Sequence, residues 1–229
     1  MIVSHRWRFI FIKTRKTGGT SLEIALSTLC GPDDIITPIT AADEVLRAAV
    51  GGLPPQHCEI PAARRTLLQR LKQWVRGAPP RFFNHMPAHA VRKALDPGIW
   101  NDYYKFAFER NPYDKIVSAY FWHFPDEPRP TLAEFIASRR ARRYRNAPLY
   151  QTGDGGLEVD RVAKYEDLAG EVEAIRQRLG MPPLPELPRA KGGFRKDRRR
   201  ASEVLGTAER ARVAELFADE IARFDYRCE

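Results

Sequence analysis

The sequence predicts a single α/β domain with a mainly parallel central sheet and helices packed on it. Three observations carry this. The 229-residue length suits one domain that can bury a real core. Two apolar runs, Trp7–Thr14 (WRFIFIKT) and Tyr103–Phe108 (YYKFAF), read as buried strands, and a helical pattern follows each. A third pair, Leu157–Tyr165 and then Leu168–Leu179, repeats the strand-then-helix order, the signature of parallel strands joined by crossover helices.

The elements follow in order. After the first strand, Arg15–Gly19 is a tight basic turn. Leu22, Ala25, Leu26 and Leu29 then recur at helical spacing, with Thr20 or Ser21 as N-cap and Glu23 completing a capping box with Thr20. Asp34–Ile39 reads as a second strand and Ala41–Val50 as a short helix. Residues 51–80, rich in proline around a basic amphipathic piece from Ala62 to Val75, read as an insertion or lid. Pro87–Leu95 is helical, and Asn111-Pro112 opens a helix through Trp122. Thr131–Arg140 and Thr207–Phe224 read as single helices, and residues 181–200 as a proline-rich basic loop.

Composition narrows the function. A net charge of +9 with 29 % charged residues favours an anionic partner: a nucleotide, a nucleic acid or a membrane surface. Cys30, Cys58 and Cys228 are dispersed, with neither zinc nor disulfide spacing. The histidines pair with no cysteine or carboxylate at ligand spacing, so no metal is implied. The Trp7–Ile12 run is too short for a membrane span, and a cytoplasmic location is expected.

Two segments carry chemistry. Lys16-Thr17-Gly18-Gly19-Thr20-Ser21 lies between a strand and a helix, where backbone N–H groups, the helix N-terminus and a lysine can cradle a phosphate. The lysine precedes the glycines, so this is not a Walker A loop. Taken alone, a Gly-Gly turn is as readily plain structure. The second segment, from Phe106 to Tyr120 (FAFERNPYDKIVSAY), places Arg110 at a strand end and Ser118 two helical turns beyond. Alone, Arg110 could be a helix-cap ion pair and Ser118 a small packing residue.

Together the two segments resemble the PAPS-dependent sulfotransferases (PAPS is 3′-phosphoadenosine 5′-phosphosulfate). The resemblance is to the carbohydrate-type, heparan- and chondroitin-sulfotransferase-like branch, as a soluble member of bacterial character. Lys164-Tyr165-Glu166-Asp167-Leu168 is similar to that family's late RYEDL segment. The resemblance implies the P-loop-kinase-like sulfotransferase fold, PAPS as donor, PAP as product and a hydroxyl-bearing acceptor, a carbohydrate. It implies that Lys16, Thr17, Gly18, Gly19, Thr20 and Ser21 hold the 5′-phosphosulfate, with Lys16 acting in catalysis. Arg110 and Ser118 would hold the 3′-phosphate, and Lys191 and Arg195, with Lys196, would lie in a loop over the nucleotide. Arg15 and Glu109 depart from the family pattern. Arg15 adds a phosphate contact, whereas Glu109 contacts the acceptor or pairs with an arginine.

The acceptor hydroxyl needs a base, and histidine titrates in the right range. In that branch a histidine between the two motifs takes this part, and His85 matches it best. His89 is the alternative, then a carboxylate such as Glu23 or Glu109, while His5, His57 and His123 show no supporting context. The Arg139–Arg145 run could steer an anionic acceptor. The competing reading is a non-catalytic, basic nucleotide- or nucleic-acid-binding α/β protein.

Overall fold

The computed structural model describes residues 1–188 and 199–229. Its centre is a five-stranded sheet of order β3-β1-β2-β4-β5. The strands are β1 (Ile2–Ser4), β2 (Phe9–Ile12), β3 (Ile35–Ile36), β4 (Tyr104–Glu109) and β5 (Arg161–Lys164). β2, β4 and β5 run parallel, with Phe11 opposite Phe106 and Phe106 opposite Arg161. The expected parallel centre is there. The other half is antiparallel: β1 pairs with β2 through Val3 and Ile10, and β3 pairs with β1. At three residues β1 is too short to show a period in the sequence. The first strand is also shorter than Trp7–Thr14, and the third shrinks from Leu157–Tyr165 to four residues.

Both faces of the sheet are covered, which is why the strands read as apolar runs rather than alternating patterns. Phe9, Phe11, Phe106 and Phe108 pack on one face with Leu22 and Leu26 of α1 (Gly19–Ser27). Ile175 of a later helix joins them there. Ile10, Ile12 and Ala107 pack on the other face, against Val91 and Trp100 from the stretch between β3 and β4. That stretch holds α2 (Ala41–Ala49), α3 (Leu67–Arg76), α4 (Ala88–Ala94) and α5 (Pro97–Asp102). Pro87 is the N-cap of α4 rather than part of it, and α5, with Asp96 as cap and Pro97 at its first position, was not anticipated.

Beyond β4, α6 (Pro112–His123) starts where the sequence places it, with the Asn111 side chain accepting from the Tyr113 amide. Two helices expected to be continuous are broken. Ser138 ends α7 (Leu132–Ala137) and caps α8 (Arg139–Arg142), accepting from the amides of Arg140 and Ala141. Phe217 separates α12 (Thr207–Leu216) from α13 (Ala218–Phe224) and is itself fully buried with Val213 and Phe135. Burying that ring outweighs a continuous helical ladder. The remaining helices are α9 (Ala147–Tyr150), α10 (Leu168–Arg178), which carries Ile175, and α11 (Ala201–Val204). Among the described residues no helix is long and apolar enough to cross a membrane.

Candidate active site

The loop after β2 turns sharply because two residues adopt left-handed backbone: Lys16 at φ 61° and Gly18 at φ 68°. Gly18 is the N-cap of α1, with no side-chain cap. The expected capping box from Thr20 or Ser21 to Glu23 is therefore absent. Glu23 instead points inward and meets Lys13 Nζ at 2.6 Å, with Arg47 and the Met1 amine on its other oxygen. Against the upward push of burial, the Met1 amine and Lys13 hold its carboxyl below the usual range. It is a buried counter-ion for Lys13. A side chain at Gly18 would bring its Cβ to 3.0 Å from Tyr165, and one at Gly19 would meet Lys13 Cγ at the same distance. The loop thus needs glycine for conformation at one position and for space at both.

The loop forms the floor of a cavity of about 760 Å³ at the carboxyl ends of the parallel strands. Lys16, Gly18, Gly19, Thr20 and Ser21 line it, as do Arg15 and Lys13. Thr17 does not: its hydroxyl is turned inward, 2.9 Å from that of Thr14, which in turn donates to the Phe108 carbonyl. Arg110 and Ser118 line the same cavity, so both motifs converge on one space. The Arg110 guanidinium stacks on Tyr165, 4.7 Å from the ring centre. Ser118 and Trp122, one turn apart on α6, share the cavity face. Lys16 Nζ lies 5.5 Å from the Trp122 ring centre. Leu187 and Pro188 close one side. Lys191, Arg195 and Lys196, expected over the nucleotide, lie outside the described residues.

His85 enters the cavity from the loop before α4, itself in left-handed backbone at φ 59°. Its Nδ1 lies 3.0 Å from the Lys13 carbonyl oxygen, so that nitrogen carries the proton and donates. Nε2 keeps its lone pair. Burial, with Lys13 and Arg15 adding to it, lowers the imidazole to about pKa 3. His85 is therefore neutral near pH 7, with a proton acceptor at its outer edge. His89 is exposed on α4 and does not line the cavity.

Glu109 corrects an expectation. It neither faces the cavity nor pairs with an arginine side chain. It is fully buried against Lys115, 2.8 Å away, and accepts from Tyr150 at 2.9 Å, from Asn146 at 3.1 Å and from the Arg110 amide at 2.8 Å. It anchors the backbone of Arg110 without competing for that residue's charge.

His123, Arg140, Arg143 and Tyr144 also line the cavity. The Tyr144 hydroxyl, pushed up to about 12 by burial, is hydrogen-bonded to His123 Nε2 at 2.8 Å. Burial and the nearby Arg140, Lys16 and Arg143 lower His123. His123 had no sequence signal of its own, and only its contact with Tyr144, just after α8, reveals its place. Among the described residues no group of three or more His, Cys, Asp or Glu is placed to hold a metal ion.

A model described as "Sulfotransferase family" matches residues 1–157, well over half of the chain and all of the loop, His85, Arg110 and Ser118. The chain belongs to the sulfotransferase family. This sulfotransferase is also similar to an uncharacterized protein of Archaeoglobus fulgidus, 29 % identical over 101 residues, which covers 42 % of this chain and 84 % of that protein. Tyr165 and Leu168, which line the cavity, come from beyond the matched residues.

Proposed function

We propose that this sulfotransferase moves the sulfuryl group of PAPS to a hydroxyl of a carbohydrate acceptor, with His85 as general base. The donor set suits a polyanionic nucleotide: Arg15, Lys16 and Arg110 share one cavity with a glycine-rich helix start, and Tyr165 and Trp122 add flat faces. Lys16, Gly18, Gly19, Thr20 and Ser21 hold the 5′ end, and Arg110 and Ser118 the 3′-phosphate. When bound, PAPS supplies an activated sulfuryl group on a phosphate leaving group.

The observation that carries the reading is the tautomer of His85. Its Nδ1 is committed to the Lys13 carbonyl, which leaves Nε2 to accept the acceptor's proton beside the phosphate loop. Lys16 and the loop amides stabilise the charge that develops on the leaving phosphate, and fixed positioning supplies much of the remaining acceleration. An anion in the loop offsets the repulsion from Lys13 and Arg15 and so strengthens His85 as a base while the donor is bound. Arg140 and Arg143 on the cavity wall offer a cationic face suited to a sugar that carries negative charge.

A transfer assay with radiolabelled PAPS against a panel of sugars, phenols and tyrosine peptides tests this. Label transferred to a saccharide, and lost in His85→Ala, is the expected result. Transfer to phenols alone would overturn the carbohydrate acceptor, and no transfer to any hydroxyl would overturn the reading.

A further inference from the structure

Helix α3 is built with its apolar side outward. Leu67, Leu68, Leu71, Trp74 and Val75 fall within one arc of about 120° on a 3.6-residue helix. In a globular protein that arc faces the core. Here Leu67 and Trp74 are each 84 % exposed, Val75 70 %, Leu68 60 % and Leu71 57 %. The opposite side is the one turned towards the protein: Gln69 and Gln73 are the partly buried positions, and Gln73 accepts from Arg65 at 2.8 Å. None of the apolar residues of α3 belongs to the hydrophobic core. The helix is nonetheless deliberately ended, with a Thr66–Gln69 capping box at its start and Gly77 in left-handed backbone at its end. Ten residues alone in water are marginal as a helix, so this outward face is normally stabilised by something that covers it.

The charge around the helix says what that is. From Ile60 to Leu95 there are eight Lys and Arg and no Asp or Glu; Arg64, Arg81 and Arg92 pair with Asp96, Glu59 and Glu158, whereas α3 itself carries cations and no carboxylate. Arg70 and Lys72 are exposed on α3 itself, on either side of the apolar arc. A second copy of the chain, docking the same face symmetrically, would press two such cationic surfaces together. A Trp- and Leu-rich face edged by Lys and Arg, on a protruding helix about 15 Å long, instead matches what lies flat in the headgroup region of an anionic bilayer.

We propose that α3 is a membrane-surface anchor that seats the protein on anionic lipid, with Trp74 and Leu71 inserted at the acyl boundary and Arg70 and Lys72 among the headgroups. The anchor acts independently of the transfer chemistry and would stand if the acceptor or donor were different.

Co-sedimentation of the full chain with phosphatidylcholine vesicles, with and without phosphatidylglycerol, tests it. The chain should partition at least about tenfold more strongly onto the anionic vesicles, less so at high salt, and Trp74 fluorescence should shift to the blue. Trp74→Phe should bind like the native chain yet lose that shift. Leu71→Glu with Trp74→Glu, both at exposed positions, should cut partitioning by about tenfold or more with an unchanged melting temperature. If that double variant melts early, Lys72→Glu, which leaves the apolar face intact, should still weaken anionic binding. Three results would overturn the proposal: no binding to anionic vesicles, binding that neither the double variant nor Lys72→Glu weakens, or a native dimer that the double variant converts to monomer.

Discussion

His85 Nδ1 is tied to the main-chain oxygen of Lys13, 3.0 Å away and seventy-two residues earlier in the chain. This bond holds the imidazole against the residue that begins the loop after β2, so ring and loop share one frame. His85→Ala should lower turnover by about 10²–10⁴ and leave PAP affinity, read by calorimetry, nearly intact. His89→Ala is the control, because that side chain is exposed outside the cavity. A dead His89 variant beside an active His85 variant would reverse the assignment.

The pH profile gives a separate check. His85 must be neutral to act, and its pKa is lowered to about 3 by burial and by Lys13 and Arg15. Protonation removes the base, so kcat/KM should fall as pH drops through that depressed value and not near the ordinary histidine value of about 6.5. The free enzyme's acid limb should therefore lie below pH ~5. A midpoint near pH ~6.5 would point to a solvated histidine instead.

Arg110→Ala should weaken PAP far more than adenosine 5′-phosphosulfate, which lacks the 3′-phosphate. A charge-assisted contact of about 1.5–3 kcal/mol corresponds to a loss of roughly 10- to 150-fold. Equal losses for both ligands would make the stacking of Arg110 on Tyr165 its main role.

Glu109→Ala should be a stability variant. It leaves Lys115 fully buried without its closest partner and removes the acceptor for Tyr150 and the Arg110 amide. Breaking a buried pair from one side costs about 3–5 kcal/mol, readable as a lower urea midpoint with an unchanged slope. A midpoint within error of the native value would show that Lys115 finds other compensation, with Glu220, 3.8 Å away, the first candidate.

Much of the fold was legible because its central elements are long and doubly covered. Phe9–Ile12 and Tyr104–Glu109 show as apolar runs, and Asn111-Pro112 marks its helix start unaided. What escaped were features decided by distant partners. Ile2–Ser4 is a strand because Phe9–Phe11 and Ile35–Ile36 flank it, and nothing within three residues announces that. Glu23 reads as a capping carboxylate and Glu109 as one that contacts the acceptor or pairs with an arginine, yet Lys13 and Lys115 hold them inside. In the site, Lys16, His85, Arg110 and Ser118 were legible from motif and order. His123 and Tyr144 were not, since their pairing spans twenty-one residues and depends on the break at Ser138.

Asn146 grips the backbone of Arg15 from both sides, accepting from its amide at 2.9 Å and donating to its carbonyl at 3.1 Å. Asn146 is in turn held by Glu220 of α13, which accepts from its amide at 2.8 Å. The final helix therefore acts as a brace for the Arg15 backbone in the loop after β2. With the Arg15 backbone held before any ligand arrives, the proposed nucleotide would meet this turn as a key meets a cut lock rather than a closing hand.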